Sequence, residues 1–200
     1  MLVNIIRNGK CPTKLNFGCG TNILPCFWNV DIHIEKHLLD VALDGTWVSE
    51  GFVKSPHDFP RNHFNTILAE MCLEHIHQDL IPNILFSFYH SLAEDGGLEI
   101  IVPNFYKLAK SLVELEENDS GLIYVDGMRN VTNEFLDPSM DDIGFARGHQ
   151  SIWTKKSAYR WLHNEGFINM GFTEIDNWHV KITAIKPANN FYGSPINRHE

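Results

Sequence analysis

Two repeats run through the hydrophobic and polar positions of this chain, and the changes between them mark its elements. Short apolar blocks at Lys14-Leu-Asn-Phe17 and Trp28-Asn-Val-Asp-Ile32 have the length and residue types of buried strands. His37 to Leu43 predicts a third strand, and the stretch after it, with Gly45, Gly51, Pro56 and Pro60, predicts an irregular surface segment. Phe64 to Ala69 predicts a fourth strand. Ile81, Ile84, Leu85, Phe88 and Leu92 then recur at helical spacing, with Asp79 as the expected N-cap. Pro82 is acceptable in the first turn, where a backbone donor has no helical partner. Asp95-Gly96-Gly97 turns the chain into a strand over Leu98 to Val102, and a helix is expected from Phe105 to Glu117.

Residues 118–150 mix Gly, Asn, Asp and Pro without a steady period and predict a long connection or lid. Ser157 to Glu165 has helical spacing through Tyr159, Trp161 and Leu162 and stops at Gly166. Phe172 to Ile175 and His179 to Ile185 suit two closing strands joined by a turn at Asp176-Asn177. The N-terminus is poorly patterned, and the tail over 187–200 is polar. A single domain over residues 1–186 is the expectation.

Strands alternating with helices imply an α/β, Rossmann-like fold: a mostly parallel sheet with helices on both faces and an antiparallel edge hairpin. Ligands of such sheets sit beyond the carboxyl ends of the strands, where strand order reverses. One cleft is therefore expected to gather the glycine turn at Gly18 and Gly20, Asp31, and the segment Glu70 to His75.

Composition narrows the partners. The 200 residues, 44% of them hydrophobic, suffice for one sizeable core. A formal charge of -9 opposes attraction to phosphate polymers, so nucleic acid is a disfavoured partner. The local group Lys155, Lys156 and Arg160 reads as a solvated face. Apolar runs fall short of the roughly 20 residues a spanning helix needs, and no charged-then-apolar leader is visible. The expectation is no membrane association and a cytoplasmic location. Four cysteines without a CxxC pair read as free thiols.

The chemistry begins at Asn16-Phe-Gly-Cys-Gly20. Glycines stand there where a Cβ would obstruct a sharp turn and the close approach of a ligand. Asp31, ending the next strand, can accept two hydrogen bonds from a ribose diol. The pair points to an adenosine-containing ligand. Only ten residues separate Gly20 from Asp31, and one is Pro25. A dinucleotide-binding crossover takes about 20 residues and a full helix, so the first helix is shortened and a pyrophosphate loses its cradle. NAD and FAD are disfavoured, whereas S-adenosyl-L-methionine carries no phosphate.

Four ordered blocks resemble type 11-like class I methyltransferases: Leu15-Asn-Phe-Gly-Cys-Gly20, Trp28-Asn-Val-Asp-Ile32, Leu73-Glu-His-Ile76 and Gly96-Gly-Leu-Glu-Ile-Ile-Val-Pro103. His149, Trp153, the helix over Ser157 to Glu165 and Gly166-Phe167 resemble the family's closing blocks. The resemblance implies an S-adenosylmethionine-dependent methyltransferase acting on a small-molecule or sugar-like acceptor. It implies that Gly18 and Gly20 face the amino-acid part of the cofactor and Asp31 its ribose hydroxyls, with Phe17, Cys19 and Ile32 beside them as cofactor-binding residues. Asp44 and Asp58 compete for the adenine amino group. Glu70, Met71, Cys72 and His75 belong to the same cleft, with Met71 and Cys72 toward the sulfonium. The acid that the family carries before the glycine turn is Asn16 here.

His149 ends the long connection, and a neutral imidazole there can act as general base toward an acceptor hydroxyl or amine. A structural histidine is the competing reading. Glu70, Glu74 and His75 are metal-ligand types, and ubiquinone-pathway O-methyltransferases carry Glu-x-x-Glu-His in the matching place. The spacing here is Glu-x-x-x-Glu-His, and helix capping by Glu74 and His75 is the preferred reading, so no metal is expected. His33, Glu35 and His37 read as an exposed edge. Tyr106, Phe135, Phe145 and Trp153 are candidates to wall an acceptor pocket, with ordinary packing preferred for each. The rival classes are a non-catalytic adenosine-binding module and an NAD-linked enzyme.

Overall fold

A computed structural model describes residues 4–34, 44–51, 58–107, 109–110 and 149–188. Eight strands form one mixed sheet: β1 (Asn4–Arg7), β2 (Lys14–Phe17), β3 (Trp28–Asp31), β4 (Trp47–Glu50), β5 (Phe64–Glu70), β6 (Leu92–Pro103), β7 (Ile168–Glu174) and β8 (His179–Ile185). Their spatial order is β1-β4-β3-β2-β5-β6-β8-β7. The five central strands β4, β3, β2, β5 and β6 run parallel, while β1, β8 and β7 pair antiparallel. The expected hairpin is β7–β8, with β7 at the edge.

Two strands arise where none was expected. β1 comes from the unpatterned N-terminus, and β4 from the stretch read as irregular surface. Each carries just two apolar residues side by side, Ile5-Ile6 and Trp47-Val48, without the alternation that marks β2 and β3. They form because each completes the other, Ile5 facing Ser49 and Ile6 facing Val48. The strand expected over 37–43 lies outside the described residues, as do 111–148 of the expected helix and lid. The backbone is helical at 105–107 and 109–110, as expected.

Two α-helices are described, α1 (Ile81–Ser91) and α2 (Lys155–Glu165). α1 places Pro82 in its first turn, but its N-cap is Leu80 without a side-chain bond. Asp79 instead sits in a 3-10 turn, Gln78–Leu80, where its N–H donates to His77. In α2, Thr154 and Ser157 form a reciprocal capping box, and Gly166 closes the helix at φ 95°. The helices meet through Tyr89 and Phe167, whose rings lie 5.2 Å apart edge to face.

The core spans the sheet. Trp28 stacks edge-on to Trp47, Phe59 and Phe64, and Phe17 to Phe88. β6 is longer than expected: Asp95-Gly96-Gly97 is an irregularity inside one strand, its register jumping from Phe64/Leu92 to Thr66/Gly97.

Candidate functional site

β2 has β3 on one side and β5 on the other, so strand order reverses there and a crevice opens at the carboxyl ends. The residues at that edge are Gly18 to Gly20 after β2, Asp31 to His33 after β3, Glu50 ending β4, and Glu70 to His75 after β5. The sequence reading brought all but Glu50 and His33 together. Glu50 was missed because β4 was missed; it pairs in register beside Asp31.

The glycine turn is pinned to β3. Gly18 and Cys19 N–H both donate to the Val30 carbonyl at 2.7 and 3.1 Å. The Asp31 carboxylate accepts from Gly20 N–H at 2.8 Å and from His33 N–H at 3.2 Å. The two glycines differ in purpose. At Gly18 (φ 68°) an added Cβ would come within 2.6 Å of Cys72 Sγ, whereas at Gly20 (φ 50°) it would meet nothing within 4 Å. Gly20 therefore borders open space, and Gly18 is required by protein packing rather than by ligand approach.

No helix forms between Gly20 and Trp28, so that backbone needs other partners. Two buried asparagines supply them. Asn29 accepts from Leu24 N–H at 2.9 Å and donates to the Leu24 carbonyl at 3.0 Å. Asn16 donates to the Asn22 carbonyl at 2.8 Å and to Asn29 Oδ1 at 2.9 Å. Asn16, where the resembled family carries an acid, is thus committed to holding the shortened crossover.

Phe17 and Cys19 are buried, and burial, reinforced by the Asp31 charge, pushes the Cys19 thiol up to about 12. Cys72 donates to the Phe17 carbonyl at 3.3 Å, and burial with nearby Glu74 and Asp31 pushes its thiol well above the usual thiol range. Both thiols stay protonated, and Cys72 packs beneath Gly18. Ile32 and Met71 are exposed at the rim, Met71 in the left-handed region at φ 48°. Glu70 is exposed at the end of β5.

The two candidates for adenine separate. Asp44 precedes β4 and therefore lies at the amino end of the sheet, next to Gly45, which bonds Asn8. Its candidacy depended on a strand ending at Leu43, and the strand at Trp47–Glu50 removes it from the cleft edge. Asp58 follows the carboxyl end of β4, beyond residues outside the described set.

On the other side of the crevice, Leu73–His75 forms a 3-10 turn with Glu74 buried. The segment after the long connection is fastened onto it. Gln150 and Ser151 N–H donate to the Glu74 carbonyl at 2.7 and 3.1 Å, and Ser151 Oγ donates to the Leu73 carbonyl at 2.9 Å. His149 is thereby brought against His75, ring centroids 5.0 Å apart. Burial first, and the neighbouring His75 second, push the His149 imidazole down to about 4, so it is neutral at neutral pH. Neither Glu74 nor His75 caps α1, whose N-cap is Leu80. The capping reading gives way to a three-residue group of Glu74, His75 and His149, which Glu70 does not join.

Trp153 is buried against Trp161, its Nε1 donating to Ser151, so it is a core residue. Tyr106 is exposed; Phe135 and Phe145 lie outside the described residues, as do Glu35 and His37, while His33 is exposed. Lys155, Lys156 and Arg160 form an exposed face.

Strand order, crossover and cleft together define a known architecture, and solved structures share it. A SAM-dependent methyltransferase from Archaeoglobus fulgidus superposes with a TM-score of 0.54 at 15% identity, over 88% of this chain and 86% of that one. The fold is that of the class I methyltransferases. Phosphoethanolamine N-methyltransferase 2 of Haemonchus contortus, solved with phosphomonomethylethanolamine and S-adenosylhomocysteine, matches with a TM-score of 0.57 at 11% identity, over 92% of this chain and 50% of that one. The 1,6-didemethyltoxoflavin-N1-methyltransferase of Burkholderia thailandensis, also with S-adenosylhomocysteine, matches with a TM-score of 0.54 at 13% identity, over 88% and 71%. The chain spans about half the length of several such neighbours. No family model matches it, and no curated protein matches its sequence. Among the described residues, no helix is long and apolar enough to cross a membrane.

Proposed function

We propose that the chain is an S-adenosylmethionine-dependent methyltransferase acting on an O or N atom of a small-molecule or sugar-like acceptor. The observation that carries this reading is Asp31. Its carboxylate sits at the strand-order switch, fixed by Gly20 and His33 N–H, and a carboxylate has lone pairs left over for two ribose hydroxyls. Open space beside Gly20 fits the rest of a nucleoside. The missing first helix suits a ligand without phosphate. Structural neighbours include methyltransferases, some solved with S-adenosylhomocysteine, and the quoted blocks resemble the type 11-like group.

Bound S-adenosylmethionine supplies an electrophilic methyl, and alignment of acceptor and donor removes much of the remaining barrier. Gly18, Cys19 and Gly20 shape the cofactor side together with Asp31 and Ile32, Asp58 is the candidate at the adenine, and Glu70, Met71 and Cys72 close the crevice behind it. His149 serves the acceptor side, where a neutral imidazole lone pair can take a proton or a cation. The acidic chain favours a metabolite over a polymer, and a cytoplasmic setting suits that chemistry.

Calorimetry of the full chain with S-adenosylhomocysteine and with NAD tests the cofactor, and S-adenosylhomocysteine is expected to bind more tightly. NAD binding without any response to S-adenosylhomocysteine would overturn the assignment. Methyl transfer from labelled S-adenosylmethionine into a metabolite extract then distinguishes an enzyme from a mere binding module.

A further inference from the structure

Glu74, His75 and His149 are a constellation that methyl transfer as such does not require. One ligand atom of each lies within 4.8 Å of the others, and His75 Nε2 is 3.8 Å from Glu74 Oε1. Three ligands about 2.1 Å from one ion at tetrahedral or right angles stand about 3.0 to 3.4 Å apart. Rotating two imidazoles by a small amount closes that difference.

The backbone already fixes the arrangement. Gln150, next to His149, donates to the carbonyl of Glu74, next to His75, and Ser151 bonds both Glu74 and Leu73. The Glu74 side chain is 1% exposed and that of His75 38%, so the group has a buried floor and an open rim. Metal sites that keep positions free for a further ligand have this form. The group also borders the cleft, since Glu74 immediately follows Leu73 and Cys72, and Cys72 packs under Gly18.

We propose that Glu74, His75 and His149 bind one divalent transition-metal ion, with the remaining coordination positions open toward the acceptor. Two imidazoles and one carboxylate suit zinc, cobalt, nickel or iron(II), whereas magnesium and calcium prefer oxygen sets. The acceptor class follows, and this step rests on the methyltransferase reading. A cation in this position favours an oxygen nucleophile that can chelate it, such as a vicinal diol or a hydroxy acid, and lowers the pKa of its hydroxyl. The hydroxyl proton goes to solvent, the oxygen bonds the methyl carbon, and the carbon–sulfur bond breaks with its electron pair remaining on sulfur.

The test is titration of the metal-free full chain with cobalt(II) alone, followed by visible absorption and calorimetry. One ion per chain is expected, displaced by zinc, with binding weakened at least tenfold in Glu74→Gln, His75→Gln and His149→Gln. Glu74→Gln carries the risk of misfolding because the residue is buried, so His149→Gln is the deciding variant, its fold checked by melting and by S-adenosylhomocysteine binding. Absence of cobalt binding in a chain that binds S-adenosylhomocysteine overturns the metal site alone. Unchanged cobalt affinity in folded His149→Gln does the same. Failure to bind S-adenosylhomocysteine, with cobalt binding intact, overturns the methyltransferase reading and the acceptor class but leaves the ion site standing.

Discussion

The two sides of the crevice are built by opposite means. The glycine-turn side is built mainly from one stretch of chain, residues 16–33, with the fastenings Gly18 and Cys19 to Val30, Gly20 to Asp31 and Asn16 to Asn29 short in sequence and one long reach from Cys72 to the Phe17 carbonyl. The opposite side joins Glu74 and His75 to His149 across some 75 residues of chain, and a few hydrogen bonds through Gln150 and Ser151 hold it. Most of the first side is set once β2 and β3 pair. The second exists only once the connection has returned, so it is the side that a small change can displace without unfolding the domain.

Breaking the local side has the largest expected effect. Asn29→Ala removes the amide that meets both polar groups of Leu24 and also touches Asn16, Phe27 and Trp47. Each buried group left unmet costs about 1 to 3 kcal/mol, so urea unfolding is expected to show a loss of about 3 kcal/mol or more. A loss below about 1 kcal/mol would mean that the shortened crossover does not depend on this side chain.

The two glycines come next. Gly18→Ala drives a Cβ against Cys72 at φ 68° and is expected to cost about 2 to 3 kcal/mol of stability. Gly20→Ala pays only the backbone strain of φ 50°, about 1 to 2 kcal/mol, and instead weakens S-adenosylhomocysteine. Equal stability losses without any effect on binding would erase the distinction. Asp31→Ala should lower S-adenosylhomocysteine affinity by about 1.5 to 3 kcal/mol in calorimetry, and unchanged affinity would move the ribose contact elsewhere.

Loosening the distant side should look different. Ser151→Ala loses the bond to Leu73 and strands Trp153 Nε1; about 1 to 2 kcal/mol of stability and a slower methyl transfer are expected, with S-adenosylhomocysteine affinity kept. Loss of cofactor affinity would show that the two sides are coupled. The smallest effect belongs to the β7–β8 turn, away from either side. Hydrogen bonding from His179, then from the Trp178 N–H, holds the Asp176 carboxyl at about 2 instead of 3.8. A depressed carboxyl stabilises above its unfolded value, so this contribution is lost as pH falls from 3.8 to 2. The melting difference between wild type and Asp176→Asn should shrink over that window, and a constant difference would refute the linkage.

Much of the fold was readable in the chain. Period and length marked β2, β3, β5, β8 and both described helices, and the ten residues from Gly20 to Asp31 left no room for a first helix. β1 and β4 were unreadable because their apolar residues stand side by side and do not alternate, and they are strands by virtue of distant partners, β3 for β4 and β4 for β1. That omission misplaced Asp44 and hid Glu50.

Local chemistry, then, was determined by the sequence itself: a glycine turn, an acid at the end of the next strand, and spacing too short for a phosphate cradle are all set by covalent neighbours and backbone sterics. Only the tertiary structure decided which residues meet across the chain. Cys72 beneath Gly18, two asparagines in place of a helix, and His149 against His75 and Glu74 depend on how the sheet orders its strands and where the long connection comes back, and no spacing along one chain encodes a distance between elements that pack.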